Sequence, residues 1–255
     1  MVMRVKSVDL LRVRVFENRS QLGQAAAEAV AEAMRKTLAS RGEVNMVFAA
    51  APSQNEFLEH LCSIADLDWS KVNAFHLDEY ITLPNNAEQR FANFLNKRLF
   101  HRVHPGRVYY LGEVGEDEEA QCARYGSLLT QHPLDIACIG VGENGHLAFN
   151  DPPADFADPR LVKIVELEER CRRQQVHDGA FEDIASVPRI AVTMTVPAIM
   201  AAKEIHCMVP GPTKAEAICA MLTGPISTAC PASILRQHGK ATLYVDKDAA
   251  ALWPR

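Results

Sequence analysis

The polar residues that directly follow apolar stretches of this chain are the ones whose types could do chemistry. Asp78 and Glu79 follow the apolar run 72–77. Two adjacent carboxylates leaving a buried strand point in different directions, so one can face a cleft while the other faces structure. A carboxylate on a cleft floor can move protons between neighbouring carbons of a substrate. A helix-capping or solvated aspartate is the structural alternative. His146 follows the run 134–141, in the segment Gly140-Val141-Gly142-Glu143-Asn144-Gly145-His146. Gly142 and Gly145 allow a tight loop and a close backbone approach to a ligand, and the loop presents His146. A nearby carboxylate can fix the tautomer of such a histidine and let it act as acid or base near neutral pH. Asp151 is the natural partner and Glu143 another; a histidine bonding only loop backbone is the alternative.

Two further positions suit an anion. Ser53 follows the run 46–51, and its hydroxyl, with the free N–H groups of a helix start, would suit a phosphate; an ordinary N-cap is the alternative. Lys214 follows Pro210-Gly211-Pro212-Thr213 and begins a helix. A cation there opposes the helix dipole unless it faces an anion, which points to phosphate; an extended surface lysine is the alternative.

Residues 140–145 also match G-x-G-x-x-G, the dinucleotide fingerprint. That fingerprint must open a helix carrying the pyrophosphate at its N-terminus. Here the chain runs into Pro152-Pro153 too soon for a useful helix, so a dinucleotide-binding dehydrogenase is set aside.

These residues need a frame that brings strand ends together. Ser20 can cap a helix over 20–40, with Leu22, Ala26, Val30, Met34 and Leu38 on its apolar face and Arg41-Gly42 at its end. Strands are expected at 46–51, 72–77, 134–141, 189–193, 204–209 and 241–245. Helical patterns fall at 56–65, 87–99, 117–129, 196–202 and 213–222. Strands apolar on both faces, alternating with helices, indicate an α/β fold: a mainly parallel, Rossmann-like sheet with helices on both faces, three layers αβα. Ligands in such folds bind at the carboxyl ends of strands. With 255 residues and no obvious linker or repeat, a single domain over 1–255 is expected.

The composition excludes other classes. Charged residues make up 23% and the net charge is −5, and the only dense basic patch is Arg170, Arg172 and Arg173, which argues against nucleic acid. No apolar run reaches the ~18 residues that span a bilayer, so no membrane partner is expected. The N-terminal segment is interrupted by charges and lacks an apolar signal core, so the expected location is cytoplasmic. Seven cysteines without a C-x-x-C pair read as reduced, mostly buried thiols. No histidine pair has zinc-ligand spacing on a helix, so no catalytic metal is expected.

The segments FHLDEY at 75–80, IGVGENGHLAFNDP at 139–152, VPRIAVTMTVPAIMAAKEI at 187–205 and VPGPTKAEAI at 209–218 resemble, in this order, the glucosamine-6-phosphate deaminase family. That family sits in a superfamily with 6-phosphogluconolactonase and ribose-5-phosphate isomerase. The resemblance is collinear from about residue 20 to 250. It implies aldose–ketose isomerisation with loss of the 2-amino group as ammonia, on a sugar phosphate, with no organic cofactor or metal. A related isomerase, a lactone hydrolase or a silent sugar-phosphate binder is the alternative. By resemblance Asp78 is the base moving a proton between C1 and C2, and His146 the acid/base that opens the pyranose ring. Asp151 falls where the family usually has a glutamate that orients this histidine. Asn144 falls where members have Asp or Asn, and Lys214 is a phosphate ligand. The family's phosphate loop usually reads T-G-[GS]-T-P; here Ala50-Ala51-Pro52-Ser53-Gln54 lacks the glycines, with Ser53 keeping a hydroxyl. The family's phosphate-binding arginine aligns with Gln175, and Arg172 or Arg173 could substitute only with a local backbone shift. Family members range from monomers to hexamers, so a homo-oligomer is compatible with the resemblance.

Overall fold

The computed structural model describes residues 2–113, 115 and 117–254. Eight strands form the central sheet: β1 (Val2–Val8), β2 (Leu11–Phe16), β3 (Val44–Phe48), β4 (Val72–His76), β6 (Arg107–Tyr109), β7 (Ile136–Ile139), β10 (Glu204–Val209) and β11 (Ala241–Asp246). Their spatial order is β1-β2-β11-β10-β7-β3-β4-β6, and every pairing is parallel except β1 with β2. A second sheet, ordered β5-β9-β8, is antiparallel and joins β5 (Asp78–Tyr80), β8 (Val162–Glu166) and β9 (Ile190–Met194).

The apolar-on-both-faces strands build three layers because successive side chains point to opposite sides. Val47, Ala137, Ile139, Cys207, Leu243 and Val245 enter one core. Their neighbours Met46, Phe48, Ile136, Cys138, Met208 and Tyr244 enter the other. The first core is closed by α5 (Glu118–Gln131), α7 (Val196–Met200) and α8 (Ala215–Thr223); the second by α1 (Arg19–Arg41) and α2 (Asn55–Ser63). Helix α1 buries Leu22, Ala26, Val30 and Met34, each large apolar side chain contributing about 1.5–3 kcal/mol on burial. The three-layer α/β architecture is the expected one.

Several elements differ from the sequence expectation. Helix α1 is capped by Asn18, not Ser20: the Asn18 side chain accepts the Gln21 N–H at 3.0 Å, and Ser20 lies inside the first turn. Gly42 ends it in the left-handed region with φ 79°. The stretch 189–193 does form a strand, β9, but it leaves the parallel sheet for the small antiparallel one. The expected helix 87–99 starts only at α3 (Phe91–Leu95), passes through π-helical turns at Asn96–Phe100 and ends in α4 (His101–Val103). The hairpin β1–β2, strand β8 and helix α6 (Glu169–His177) have no counterpart in the sequence pattern. Their charged residues interrupt the apolar period on the solvent-facing side.

Strand order locates the crevice. From β3 the chain steps to β4 and β6 on one side; β7 then starts on the other side of β3 and leads to β10 and β11. The order reverses between β3 and β7, and ligands in open α/β sheets bind at such a point, beyond the carboxyl ends of the strands. The residues just past β3 and β7 are 49–54 and 140–146, the loops of Ser53 and His146.

Candidate active site

A cleft of about 420 Å³ opens at this switch point. Its walls include Ser53 and Gln54 after β3, Asp78 after β4, Gly142 and His146 after β7, Gln175 and Asp178 around α6, and Lys214 after β10.

Asp78 sits where the backbone passes from the large sheet to the small one. The Met194 N–H donates to Leu77 O at 2.8 Å, and β5 begins at Asp78 opposite Thr193. This change of sheet leaves Asp78 buried, 8% exposed, on the cleft floor. Burial pushes its pKa up to about 8, and the neighbouring Glu79 adds to the rise. Glu79 faces away from the cleft. It accepts the N–H groups of Tyr80 (2.9 Å), Phe91 (3.1 Å) and Ala92 (2.9 Å) and lies 3.5 Å from Arg90 Nε, so it caps the start of α3.

The His146 loop is a tight turn. The Gly145 N–H donates to Gly142 O, and the Gly142 N–H to His146 O, both at 3.0 Å. Gly142 is required because the imidazole lies over it: a Cβ there would stand 2.2 Å from the ring Cε1 and Nε2. Gly145 takes φ +85° and meets Cys230, so it shapes the turn and does not line the cleft. Asn144 ties the loop together: its Oδ1 accepts the His146 N–H at 3.1 Å and its amide donates to Asp151 Oδ1 at 2.9 Å. His146 Nδ1 stands 3.2 Å from Asp151 Oδ1, close enough for an ion pair but outside hydrogen-bond alignment. Burial works against the Asp151 carboxylate; the imidazole, the Asn144 amide and the Glu168 N–H outweigh it and hold its pKa below the usual range. Glu143, the other candidate partner, points to His177 at 3.7 Å. His146 is the only histidine lining the cleft among the described residues. His76, by contrast, is fully buried; it accepts the Leu111 N–H at 2.7 Å, and burial lowers its pKa to about 3.

The anion end is sparser. Lys214 lies in the 3-10 turn Pro212–Lys214 and is the only lysine or arginine lining the cleft among the described residues. It is buried, and no described carboxylate comes within ion-pair distance of it. Burial lowers its pKa, while Asp178 and Glu143 oppose that. Ser53 lines the cleft, and its Oγ accepts from the Gln54 amide at 3.0 Å; the same amide reaches Met208 O at 3.2 Å. Arg172 and Arg173, expected as substitutes for a phosphate-binding arginine, do not reach the cleft. The periodicity of α6 turns Cys171, Gln174, Gln175 and Asp178 inward and the two arginines outward. Arg172 donates to the carbonyls of Ile184 and Val187, and Arg173 pairs with Glu169 on the exposed face. Gln54, Gln174, Asp178 and Cys171 were not singled out from the sequence. Gln54 could have been found from its place beside Ser53; the other three sit on or next to a helix that the pattern did not show.

The arrangement offers a basic carboxylate, a carboxylate-paired histidine and a buried cation around one sugar-sized space. Residues 17–244 match the family model described as glucosamine-6-phosphate isomerases/6-phosphogluconolactonase. A glucosamine-6-phosphate deaminase of Lactobacillus delbrueckii subsp. bulgaricus is 33% identical over 242 residues, covering 95% of this chain and 99% of that one. One of Bacillus thuringiensis is 37% identical over 186 residues, 73% of this chain and 70% of that one. Among solved structures, a monomeric glucosamine-6-phosphate deaminase superposes with TM-score 0.87 at 29% identity, covering 94% and 99% of the two chains. The 6-phosphogluconolactonase of Thermotoga maritima shares the fold, with TM-score 0.77 at 20% identity over 95% of this chain and all of the other. With the family match spanning nearly the whole chain and the strand-end site in place, this protein belongs to the glucosamine-6-phosphate isomerase/6-phosphogluconolactonase family.

Proposed function

We propose that the chain is a glucosamine-6-phosphate deaminase, converting glucosamine 6-phosphate and water to fructose 6-phosphate and ammonia. The observation that carries this reading is the convergence of Asp78, the His146–Asp151 pair and Lys214 on one cleft at the topological switch point. In this reading His146 delivers and removes the proton that opens the pyranose ring. Asp151 and Asn144 hold its loop and ring, and Gly142 leaves room for the imidazole. Asp78 takes the C2 proton of the open chain and returns it at C1. Its desolvated carboxylate is more basic than one in water, which favours that abstraction. Loss of the 2-amino group as ammonia, with water entering at C2, completes the balance. Lys214 holds the phosphate, with the Ser53 hydroxyl beside it.

The curated relatives at 33% and 37% identity are named deaminases, which favours this reaction over lactone hydrolysis, where the likeness extends to fold alone. The cleft is built within one chain, so the reading works for a monomer and a homo-oligomer alike. We place the reaction in the cytoplasm; no helix among the described residues is long and apolar enough to cross a membrane. The test is ammonia release from glucosamine 6-phosphate, galactosamine 6-phosphate and unphosphorylated glucosamine, with acid release from 6-phosphogluconolactone measured alongside. Preference for glucosamine 6-phosphate supports the proposal, and preference for any other member of that set rejects it.

A further inference from the structure

Behind the catalytic imidazole, on the side away from the cleft, three donor atoms of different chemistry converge. His146 Nδ1, an Asp151 carboxylate oxygen and Cys171 Sγ all lie within 4.8 Å of one another. Cys171 reaches this point from the inward face of α6; it is 1% exposed and lies in the apolar cluster with Tyr80, Phe149 and Leu167. The His146 side chain is nine-tenths buried, and its Nδ1 has no aligned hydrogen-bond partner despite the 3.2 Å approach of Asp151. A buried ring nitrogen left unsatisfied beside a carboxylate and a thiol lacks a partner that all three could share.

We propose that His146 Nδ1, Asp151 and Cys171 form a binding site for a zinc-class divalent ion, and that occupancy inhibits the enzyme. Imidazole nitrogen, carboxylate oxygen and thiolate sulfur are the ligand types zinc takes. With Zn–N near 2.0 Å and Zn–S near 2.3 Å, tetrahedral donors stand roughly 3.5 Å apart. Closing from the observed spread therefore requires side-chain adjustments of about an ångström, within the reach of rotamer changes. Binding displaces the Cys171 thiol proton to solvent and leaves a fourth position for water. The ion differs from a cofactor in its effect. Ligation at Nδ1 removes the direct Asp151–His146 contact and confines the ring's mobile proton to Nε2. The imidazole is then a poor base and does not complete the ring-opening cycle. The proposed inhibition rests on the assignment of His146 as acid/base; the binding site itself does not.

The test uses the full chain and the metal ions alone. Cobalt(II) added to wild type, with no substrate present, is expected to give a near-ultraviolet thiolate-to-cobalt band that Cys171→Ala lacks. Zinc chloride is then titrated into the turnover assay, each protein being compared with its own metal-free rate. The concentration giving half-inhibition is expected to rise at least ten-fold in Cys171→Ala, and a chelator restores wild-type rate. Cys171→Ser, which keeps the volume, serves if the alanine variant does not fold. Cys230→Ala, altering the partly exposed thiol beside Gly145, is expected to behave as wild type. An unchanged cobalt band in both Cys171 variants, or its loss in Cys230→Ala alone, overturns the site. A Cys171-dependent band with equal zinc sensitivity in all variants overturns the inhibition while leaving the site. If the chain turns over none of the sugars, the cobalt result still decides whether the site exists.

Discussion

Replacing Asp78 with asparagine removes the proposed base, and it also has a stability consequence whose sign and size follow from burial. The folded protein holds the Asp78 proton up to about pH 8, whereas the unfolded chain releases it near the ordinary aspartate value of 3.8. Between those values the native state binds more protons than the unfolded state, so wild-type stability falls as pH rises through this window. Each whole step in pH costs about 1.4 kcal/mol while the native carboxyl stays protonated. From pH 5 to pH 8 that amounts to about 4 kcal/mol, as a ceiling, because water in the open cleft relaxes some of the penalty. Asparagine has nearly the same shape and no charge to desolvate, so the variant escapes this loss. For a chain of this length each kcal/mol shifts the melting temperature by about 2 °C. Asp78→Asn is therefore expected to gain on wild type progressively, by as much as roughly 8 °C between pH 5 and pH 8. The assay is thermal unfolding of both proteins at matched ionic strength across that range. A melting-temperature difference that stays constant from pH 5 to pH 8 refutes the reasoning, because Asp78 would then ionise as a solvated carboxyl does.

Other outcomes follow from the same geometry. Gly142→Ala places a methyl group on the His146 ring and is expected to cut kcat by about 10²-fold or more while the protein remains folded, measured by turnover alongside circular dichroism. Lys214→Met is expected to raise KM for the phosphorylated sugar by roughly ten-fold or more, with little change for unphosphorylated glucosamine. Arg173→Ala, on the exposed face with Glu169, is expected to leave KM within about two-fold, the usual range for a surface ion pair. Because the proposed base must be ionised, kcat/KM is expected to fall as pH drops below about 8, and a profile breaking near the ordinary aspartate value contradicts the buried environment.

The sequence carried most of the central sheet, because strands covered on both faces are apolar at most positions and stand out from their surroundings. Residues 204–209 coincide with β10, and 241–245 differs from β11 by one residue. Residues 189–193 carry a similar apolar centre, Ile190-Ala191-Val192, yet pattern alone does not show that β9 pairs with β5 and β8 in a separate sheet, since antiparallel pairing there is a long-range choice. That choice matters for chemistry: it puts Asp78 at the junction of the two sheets. The loop of His146 was legible from its glycines, one of which makes room for the ring itself. The inward face of α6 was not legible, because Gln174, Gln175 and Asp178 are polar and face a cleft, leaving Cys171 alone on that side to enter an apolar cluster. Its arginines are of a type that could hold an anion, but Arg172 bonds backbone carbonyls and Arg173 pairs with Glu169.

The most direct test of the account is ammonia release from glucosamine 6-phosphate by wild type and Asp78→Asn, assayed side by side at pH 8 with both shown to be folded. The account predicts turnover by wild type with fructose 6-phosphate formed in equal amount, and a loss of at least about 10²-fold in the variant. No turnover by wild type, or equal turnover by the two proteins, contradicts it.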